Sequence, residues 1–216
     1  MTKQLVIFDL DGTLLNTIGD LTVAVNHTLG ECGFPLRTYD EVRSMVGDGV
    51  LKLLERALPE AERTSNNLTR AREIFLPFYG AHNAEKTHPY EGIPELLEEL
   101  RKRGIKMAVA SNKYHAATCK LIPHYFPTIP FEVVLGQREG VPAKPHPQIV
   151  ADILAEVGVG RQEVLYVGDT NVDMLTAKAA EVDPVAVDWG FRPREELAAH
   201  TPLAIISHPL ELLDYL

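Results

Sequence analysis

Leu5-Val6-Ile7-Phe8-Asp9-Leu10-Asp11-Gly12-Thr13-Leu14-Leu15-Asn16-Thr17 is the stretch on which the reading of this chain turns. Its first four residues are apolar and rich in β-branching, which predicts a strand buried on both faces, as in parallel sheets. The run breaks into Asp9-Leu10-Asp11-Gly12-Thr13, and open α/β sheets bind ligands just beyond the carboxyl ends of their strands. Two acids two positions apart, on a chain about to turn at Gly12, can both approach one site. Carboxylate and carbonyl oxygens are the donors that Mg²⁺ prefers. A carboxylate held beside a metal can also attack phosphorus and form an aspartyl phosphate. A bare Asp-x-Asp is equally a strand running into an acidic turn, so the remainder of the chain has to arbitrate.

At 216 residues the chain can form one large domain or two small ones around a sizeable core. Its 45% apolar and 24% charged residues are ordinary for a soluble globular protein. No segment approaches the roughly 18 apolar residues of a membrane span, and Leu5–Phe8 is too short for a signal-peptide core. A cytoplasmic protein without a membrane partner is expected. Cys32 and Cys119 fall in helix-like stretches and are expected as buried free thiols of a reducing compartment. The net charge of −9 argues against nucleic acid as a partner. If the substrate is a phosphate ester, local positive charge must overcome that global repulsion, which calls for a metal ion, a lysine and backbone N–H groups.

After Thr17, Leu21, Val25 and Leu29 recur at helical spacing. Gly30 and Gly33-Phe34-Pro35 end that helix, and a second is expected from Tyr39-Asp40-Glu41-Val42 with Asp40 as its cap. A third follows Gly49 as far as Pro59, and a fourth carries Leu68, Ala71, Ile74, Phe75 and Phe78 on one face. No strand is expected from Asn16 to about His82, so residues 16–82 read as a helical insertion, with 1–15 and 83–216 forming the main domain. Beyond it, strands are expected at Lys106–Ala110, Glu132–Leu135, Val164–Val167, Val185–Val187 and Leu203–Ile206, with helices between them. This alternation predicts an α/β fold with a Rossmann-like parallel sheet, helices on both faces and right-handed crossovers. The insertion after the first strand forms a small all-α cap.

Polar residues fall just beyond several of these strands. Ser111 and Asn112 follow the second, where a hydroxyl and backbone N–H groups can donate to a phosphate oxygen. Lys144 sits in the proline-stiffened Pro142-Ala143-Lys144-Pro145-His146-Pro147, so its position is defined by the backbone. Gly168-Asp169-Thr170-Asn171-Val172-Asp173 ends the fourth strand. There Asp169 can complete a carboxylate set with Asp9, and Asp173, one turn further, can orient its neighbours. Each piece alone also reads as a turn, a solvated lysine or a helix cap.

Taken together, Asp9-x-Asp11-Gly12-Thr13-Leu14, Ser111, Lys144 and Gly168-Asp169 resemble, in order, the four motifs of the haloacid dehalogenase superfamily. The resemblance covers nearly the whole chain. It implies Asp9 as nucleophile and Asp11 as general acid and base, with Ser111, Asn112, Lys144, Gly12 and Thr13 around the phosphate. It also implies Mg²⁺ held by Asp9, the Asp11 backbone carbonyl and Asp169, with Asp173 supporting them. Arg43-Ser44-Met45-Val46-Gly47-Asp48-Gly49 resembles the cap's specificity loop in phosphoglycolate phosphatase relatives, which assigns specificity to Arg43, Gly47 and Gly49. Val187-Asp188-Trp189-Gly190-Phe191 resembles the family's Gly-aromatic turn. Two departures stand out. Asn16-Thr17 replaces the usual Asp-Ser at the cap hinge, and Glu181 replaces a glycine before the fifth strand.

The function expected is Mg²⁺-dependent hydrolysis of a small phosphate monoester by a phosphoglycolate phosphatase-like monomer or homodimer. A hexose-phosphate mutase could use the same core, and a phosphonatase would need a cap lysine, with Lys52 as candidate. A pyrophosphatase of the same superfamily is a further alternative. A true dehalogenase has no use for Asp11, and a phosphoacceptor signalling domain needs no large cap.

Overall fold

Leu5–Phe8 forms strand β1, and all four of its side chains are fully buried. The computed structural model describes residues 2–216. Strand β2 (Leu15–Asn16) leads into helices α1 (Ile18–Cys32), α2 (Tyr39–Met45), α3 (Val50–Ala57) and α4 (Ser65–His82), and the chain returns through β3 (His88–Pro89). Then follow α5 (Ile93–Lys102), β4 (Lys106–Tyr114), α6 (His115–Tyr125), β5 (Val133–Gln137), α7 (Gln148–Val157) and β6 (Val164–Gly168). The chain ends with α8 (Asn171–Ala180), β7 (Asp183–Val187), α9 (Arg194–Ala198), β8 (Ala204–Ile206) and a short 3₁₀ segment.

Six strands make one parallel sheet in the order β5-β4-β1-β6-β7-β8. The chain fills one side of β1 with β4 and β5, then crosses to the other side for β6 and its successors. The ends of β4, β1 and β6 therefore flank the point where strand order reverses, which is where such sheets bind ligands. Both faces of the sheet are covered, which is why β1 shows no alternation. Val6 and Phe8 pack with Leu96, Leu97 and Leu100 of α5, while Leu5 and Ile7 pack with Ile149 and Ile153 of α7. The fold is α/β, as the alternation of elements predicts.

Helices α1 to α4 bury a separate apolar cluster that includes Leu21, Val25, Leu53, Leu54, Phe75 and Tyr79, joined from the sheet side by Phe191. The connection to the sheet holds a short ribbon at the edges of the stretch, Asn16 to about His82, where no strand is expected. β2 and β3 pair antiparallel, Leu15 opposite Pro89 and Asn16 opposite His88. Two residues are too few for any periodicity, so this ribbon has no sequence signature. It is fastened by Asp20, whose buried carboxylate accepts the backbone N–H groups of Glu85, Lys86 and Thr87 and the Thr87 hydroxyl, at 2.7–3.2 Å. The cap of α2 also differs. Thr38, not Asp40, is the N-cap, in a reciprocal capping box with Glu41. Cys32 is half-buried and Cys119 exposed, and both are free, so neither is the buried thiol expected.

β4 runs past Ala110 as far as Tyr114. Ala110 pairs with Leu135 and Tyr114 with Gln137, so the edge partner advances two residues while β4 advances four. Such bulges re-aim side chains beside active sites. Here the bulge carries Ser111, Asn112 and Lys113.

Candidate active site

The β1 ladder continues one residue beyond the strand, Asp9 N–H donating to Val167 O at 2.9 Å. The chain then curls on itself. The Leu10 carbonyl accepts from Thr13, Leu14 and Leu15, and Gly12 N–H donates to Leu15 O. Gly12 holds a φ of 88°, and a Cβ there would lie 2.2 Å from an Asp169 oxygen. Only glycine meets both demands. Gly190 closes the other side, where a Cβ would fall 2.3 Å from Asp169 Cβ.

Asp9, Asp169 and Asp173, all buried, present carboxylate oxygens within 4.8 Å of one another. Asp169 accepts from the Thr13 hydroxyl (3.0 Å) and from Phe191 N–H (2.8 Å). Asp173 is engaged by the protein itself, accepting from Thr170 N–H and its hydroxyl on one oxygen and from Lys144 Nζ (2.7 Å) on the other. Lys144 Nζ also donates to Ala110 O (2.9 Å) and lies 2.9 Å from Asp9 Oδ1. That last contact is an ion pair without hydrogen-bond alignment, so Asp9 Oδ1 is a buried oxygen that no donor satisfies.

Of these three buried carboxylates only Asp9 and Asp173 pair with the Lys144 ammonium, and the protonation of the cluster reflects the deficit. Burial pushes the Asp9 carboxyl up to about 7, with Asp173 and Asp11 adding to the rise and Lys144 opposing it. Asp169 is raised well above the carboxylate range by burial and by Asp173 and Asp9. For Lys144 burial opposes the charge, but Asp173 and Asp9 outweigh it and hold the ammonium. An unsatisfied oxygen, excess negative charge and an all-oxygen donor set fit a hard divalent cation.

Asp11 faces the other way. Both its oxygens accept from Lys113 Nζ, at 2.8 and 3.1 Å, and the same ammonium donates to the Tyr79 hydroxyl at 2.6 Å. These groups line a cavity of about 50 Å³ between sheet and helices. Its polar end is formed by Asp9, Asp11, Ser111, Asn112 and Lys113, and its cap end by Leu21, Val46, Leu53, Phe75 and Tyr79.

The sequence-predicted residues do not all reach the cavity. Asp9, Asp11 and Ser111 meet at the cavity, and Lys144 and Asp169 stand directly behind it. Gly12 and Thr13 pack on and bond to Asp169 and do not line the cavity. Asn112 lines it, but its side chain is occupied, donating to Gly47 O and Lys144 O and accepting from Lys144 N–H. In the cap loop, Gly47 and Gly49 line the cavity, whereas Arg43 does not. The Arg43 guanidinium donates to Gly190 O at 2.5 Å, and Arg192 answers from the sheet side, donating to Arg43 O and Val46 O. Lys52 lies exposed, paired with Glu55.

Lys113 and Tyr79 were not legible as site residues. Lys113 stands two positions after Ser111 within the β4 bulge, where strict alternation does not hold, so its nearness to Ser111 in sequence is the one signal available. Tyr79 extends the apolar stripe of α4 by one turn beyond Phe75 and reads simply as core.

This is the fold and acid cluster of a hydrolase. The chain belongs to the haloacid dehalogenase-like hydrolase family, whose model matches residues 6–187. It is 34% identical over 212 residues to a phosphoglycolate phosphatase of Mesorhizobium japonicum, covering 96% of this chain and 92% of that protein. With a phosphoglycolate phosphatase of Vibrio parahaemolyticus it shares 32% identity over 222 residues, covering 99% and 97%. A crystal structure from Lactobacillus delbrueckii, provisionally called a phosphoglycolate phosphatase, superposes with a TM-score of 0.94 at 33% identity, covering 100% and 98%.

Proposed function

We propose that this chain is a Mg²⁺-dependent phosphatase of a small phosphate monoester, phosphoglycolate or a close analogue, working through an aspartyl phosphate on Asp9. The observation that carries this reading is the buried, unsatisfied Asp9 Oδ1, paired with Lys144, on a carboxylate that stands beside Asp169 and lines the cavity. Asp9 and Asp169, with the Asp11 backbone carbonyl, would hold Mg²⁺, which supplies charge neutralisation for the transferring phosphoryl group.

Asp9 attacks phosphorus in line, with Lys144 and the Ser111 hydroxyl facing the phosphoryl oxygens. Asp11 delivers a proton to the leaving alkoxide, then takes one from the water that hydrolyses the aspartyl phosphate. Helices α1 to α4 close the cavity over the first step and exclude bulk water. The domain division is read as 16–82 for the cap and 1–15 with 83–216 for the catalytic part. The cap's separate apolar cluster and the two-stranded ribbon at its base support that division. No helix of the described residues is long and apolar enough to cross a membrane, and we assign the protein to the cytoplasm as a monomer or homodimer.

The test is phosphate release from a panel of small phosphate esters with Mg²⁺ and, in parallel, after removal of bound metal with a chelator. Release from phosphoglycolate that vanishes in chelator supports the reading. A panel without any release, or conversion of a hexose phosphate to its isomer with no net phosphate, sinks it. The phosphonatase alternative has little support, because exposed Lys52 does not line the cavity.

A further inference from the structure

Beside the reaction cavity lies a much larger space. The cavity holds about 50 Å³, room for only a few heavy atoms. An adjoining cleft opens about 690 Å³ between the cap and the loop from β5 to α7, the size of pocket in which proteins hold drug-sized ligands. Leu51, Arg72 and Leu76 line it from α3 and α4, and Gln137, Glu139 and Ala143 from the sheet side. Gly49, Val50, Asn112 and Tyr114 line both spaces, so these four residues separate them.

Of the four, Tyr114 has the side chain able to act as a wall. Gly49 has none, Val50 is short, and the Asn112 amide is committed to Gly47 and Lys144. Tyr114 ends β4 and is anchored there, pairing with Gln137 across the bulge and accepting at its carbonyl from the Thr118 hydroxyl at 3.3 Å. β5 presses closely on its two neighbours, for a Cβ on Gly136 would lie 2.5 Å from Lys113 O and 2.7 Å from His115 Cα. The ring reaches across to the cap and packs on the apolar cluster of α1 to α4. Its Oη ends close to Gly80, where a Cβ would lie 3.3 Å away. A fixed backbone at one end and a packed ring tip at the other make a bridge from sheet to cap.

We propose that the Tyr114 ring is the partition between the reaction cavity and the cleft, and that it fixes how bulky a leaving alcohol the enzyme accepts. This rests on the phosphatase reading given above and goes beyond it by assigning the residue that sets the size limit. With the phosphoryl group at Asp9 and the ring in place, the alcohol is confined to the small chamber. Without the ring the chamber opens into the cleft, because a truncated side chain leaves space that its surroundings fill only in part. Arg72, Gln137 and Glu139 give that cleft polar groups suited to a polyhydroxylated alcohol.

The experiment measures phosphate release by the full chain with Mg²⁺ from 2-phosphoglycolate and from glucose 6-phosphate, whose alcohol is too large for the chamber. The wild type should favour the small ester. Tyr114→Ala should raise the ratio of kcat/KM for the bulky ester to that for the small one by at least about tenfold, the scale on which an overfilled pocket rejects its occupant. Tyr114→Phe keeps the ring and should keep the wild-type ratio. Adding Leu51→Trp to Tyr114→Ala narrows the cleft without touching the cavity, and should withdraw the gain. Should Tyr114→Ala melt below the assay temperature, Tyr114→Leu takes its place and should give a smaller rise. An unchanged ratio in the folded variant overturns the partition and leaves the phosphatase reading intact, and it would make Tyr114 only a packing residue. So does a wild type equally active on both esters, or a gain that Leu51→Trp leaves in place. Release from neither ester in the wild type and the variants removes the phosphatase reading and this proposal with it.

Discussion

The two sides of the cavity are built on opposite principles. On the sheet side, Asp169 is enclosed by two glycines whose Cβ atoms would collide with it or its neighbours, and it is bonded by Thr13 and Phe191. Asp173 is bonded by Thr170 and Lys144, and Lys144 in turn by Ala110. Nearly every polar group there has a protein partner, and the one buried oxygen left over is Asp9 Oδ1. On the cap side the walls are apolar, and the polar groups are few: Tyr79, bonded to Lys113 of β4, and the glycine-flanked loop around Gly47 and Gly49. The cap is held there by a small number of reversible contacts, chiefly Arg43 to Gly190 O, Arg192 to Val46 O, Lys120 to Gly80 O and Asn112 to Gly47 O. A rigid site with one unsatisfied atom suits a fixed reaction, and an apolar chamber with one ion pair suits selection among substrates.

If that contrast holds, the deepest loss comes from the leftover atom. Asp9→Asn should reduce turnover by at least about 10⁴-fold, the scale seen when a nucleophile is removed, and should leave no covalent phosphate on the protein. Residual turnover within a factor of ten of wild type breaks the assignment.

Asp11→Asn tests the other side of the same loop. It should cost about 10²–10⁴ in rate, the usual contribution of a positioned acid–base group. With a nitrophenyl phosphate the first step needs little protonation, so the variant should accumulate phosphate on Asp9, visible by rapid quench and peptide mapping. Phosphate found on Asp11 instead would invert the roles of the two acids.

The electrostatics of the acid cluster set the third effect. The Asp9 carboxyl stands at about 7 in the folded protein, against about 3.9 unfolded. Between those values the native state binds more protons than the unfolded one, so metal-free stability should fall as pH rises through this window. The expected loss is on the order of a few kcal/mol, absent below both values. Mg²⁺ should therefore raise Tm more near neutral pH than near about pH 5. A Tm that ignores Mg²⁺ at both would contradict a metal at these acids.

A smaller effect belongs to the cap contacts. Arg192→Ala removes hydrogen bonds to Arg43 O and Val46 O, weakening closure by about 1–2 kcal/mol. The expected signature is a raised KM with kcat nearly retained, read from initial rates. The reverse split would mean that Arg192 acts on the chemistry.

The smallest effect lies outside both regions. Glu181 caps α8 with φ 58° and ψ 41°, the left-handed conformation that costs a non-glycine residue energy. Glu181→Gly should stabilise the fold by about 0.5–1 kcal/mol in chemical denaturation, with activity unchanged. This explains why a glycine is usual there: the position demands a backbone state, and this chain accepts the strain.

Much of the catalytic side was open to reading along the chain, because it is made by strand ends. A buried strand announces itself by a continuous apolar run, and whatever polar residue follows it must emerge at the carboxyl edge of the sheet. Asp9, Asp11, Ser111 and Asp169 all sit at such edges, and Lys144 in a proline-framed loop. The α/β class and the helical insertion followed from the same periodicities. What periodicity could not reveal was where side chains point once loops and cap have packed. Asn112 spends its amide on Lys144 and Gly47, Thr13 turns to Asp169, and Arg43 leaves the cavity for Gly190. The two-residue β2–β3 ribbon is likewise too short to leave a pattern.

Local apolar runs and residue types within a few positions are enough to specify the strands, the polar residues at their edges and the family to which the chain belongs. The tertiary structure alone brought Tyr79, Lys113 and Asp11 together. Those residues lie 34 and 102 positions apart across the ion pair, and only the packing of α4 over a bulged strand closes that distance. Buried charges must find partners wherever the fold provides them, and the partner of Lys113 across the cap is set by three-dimensional packing that no local pattern encodes.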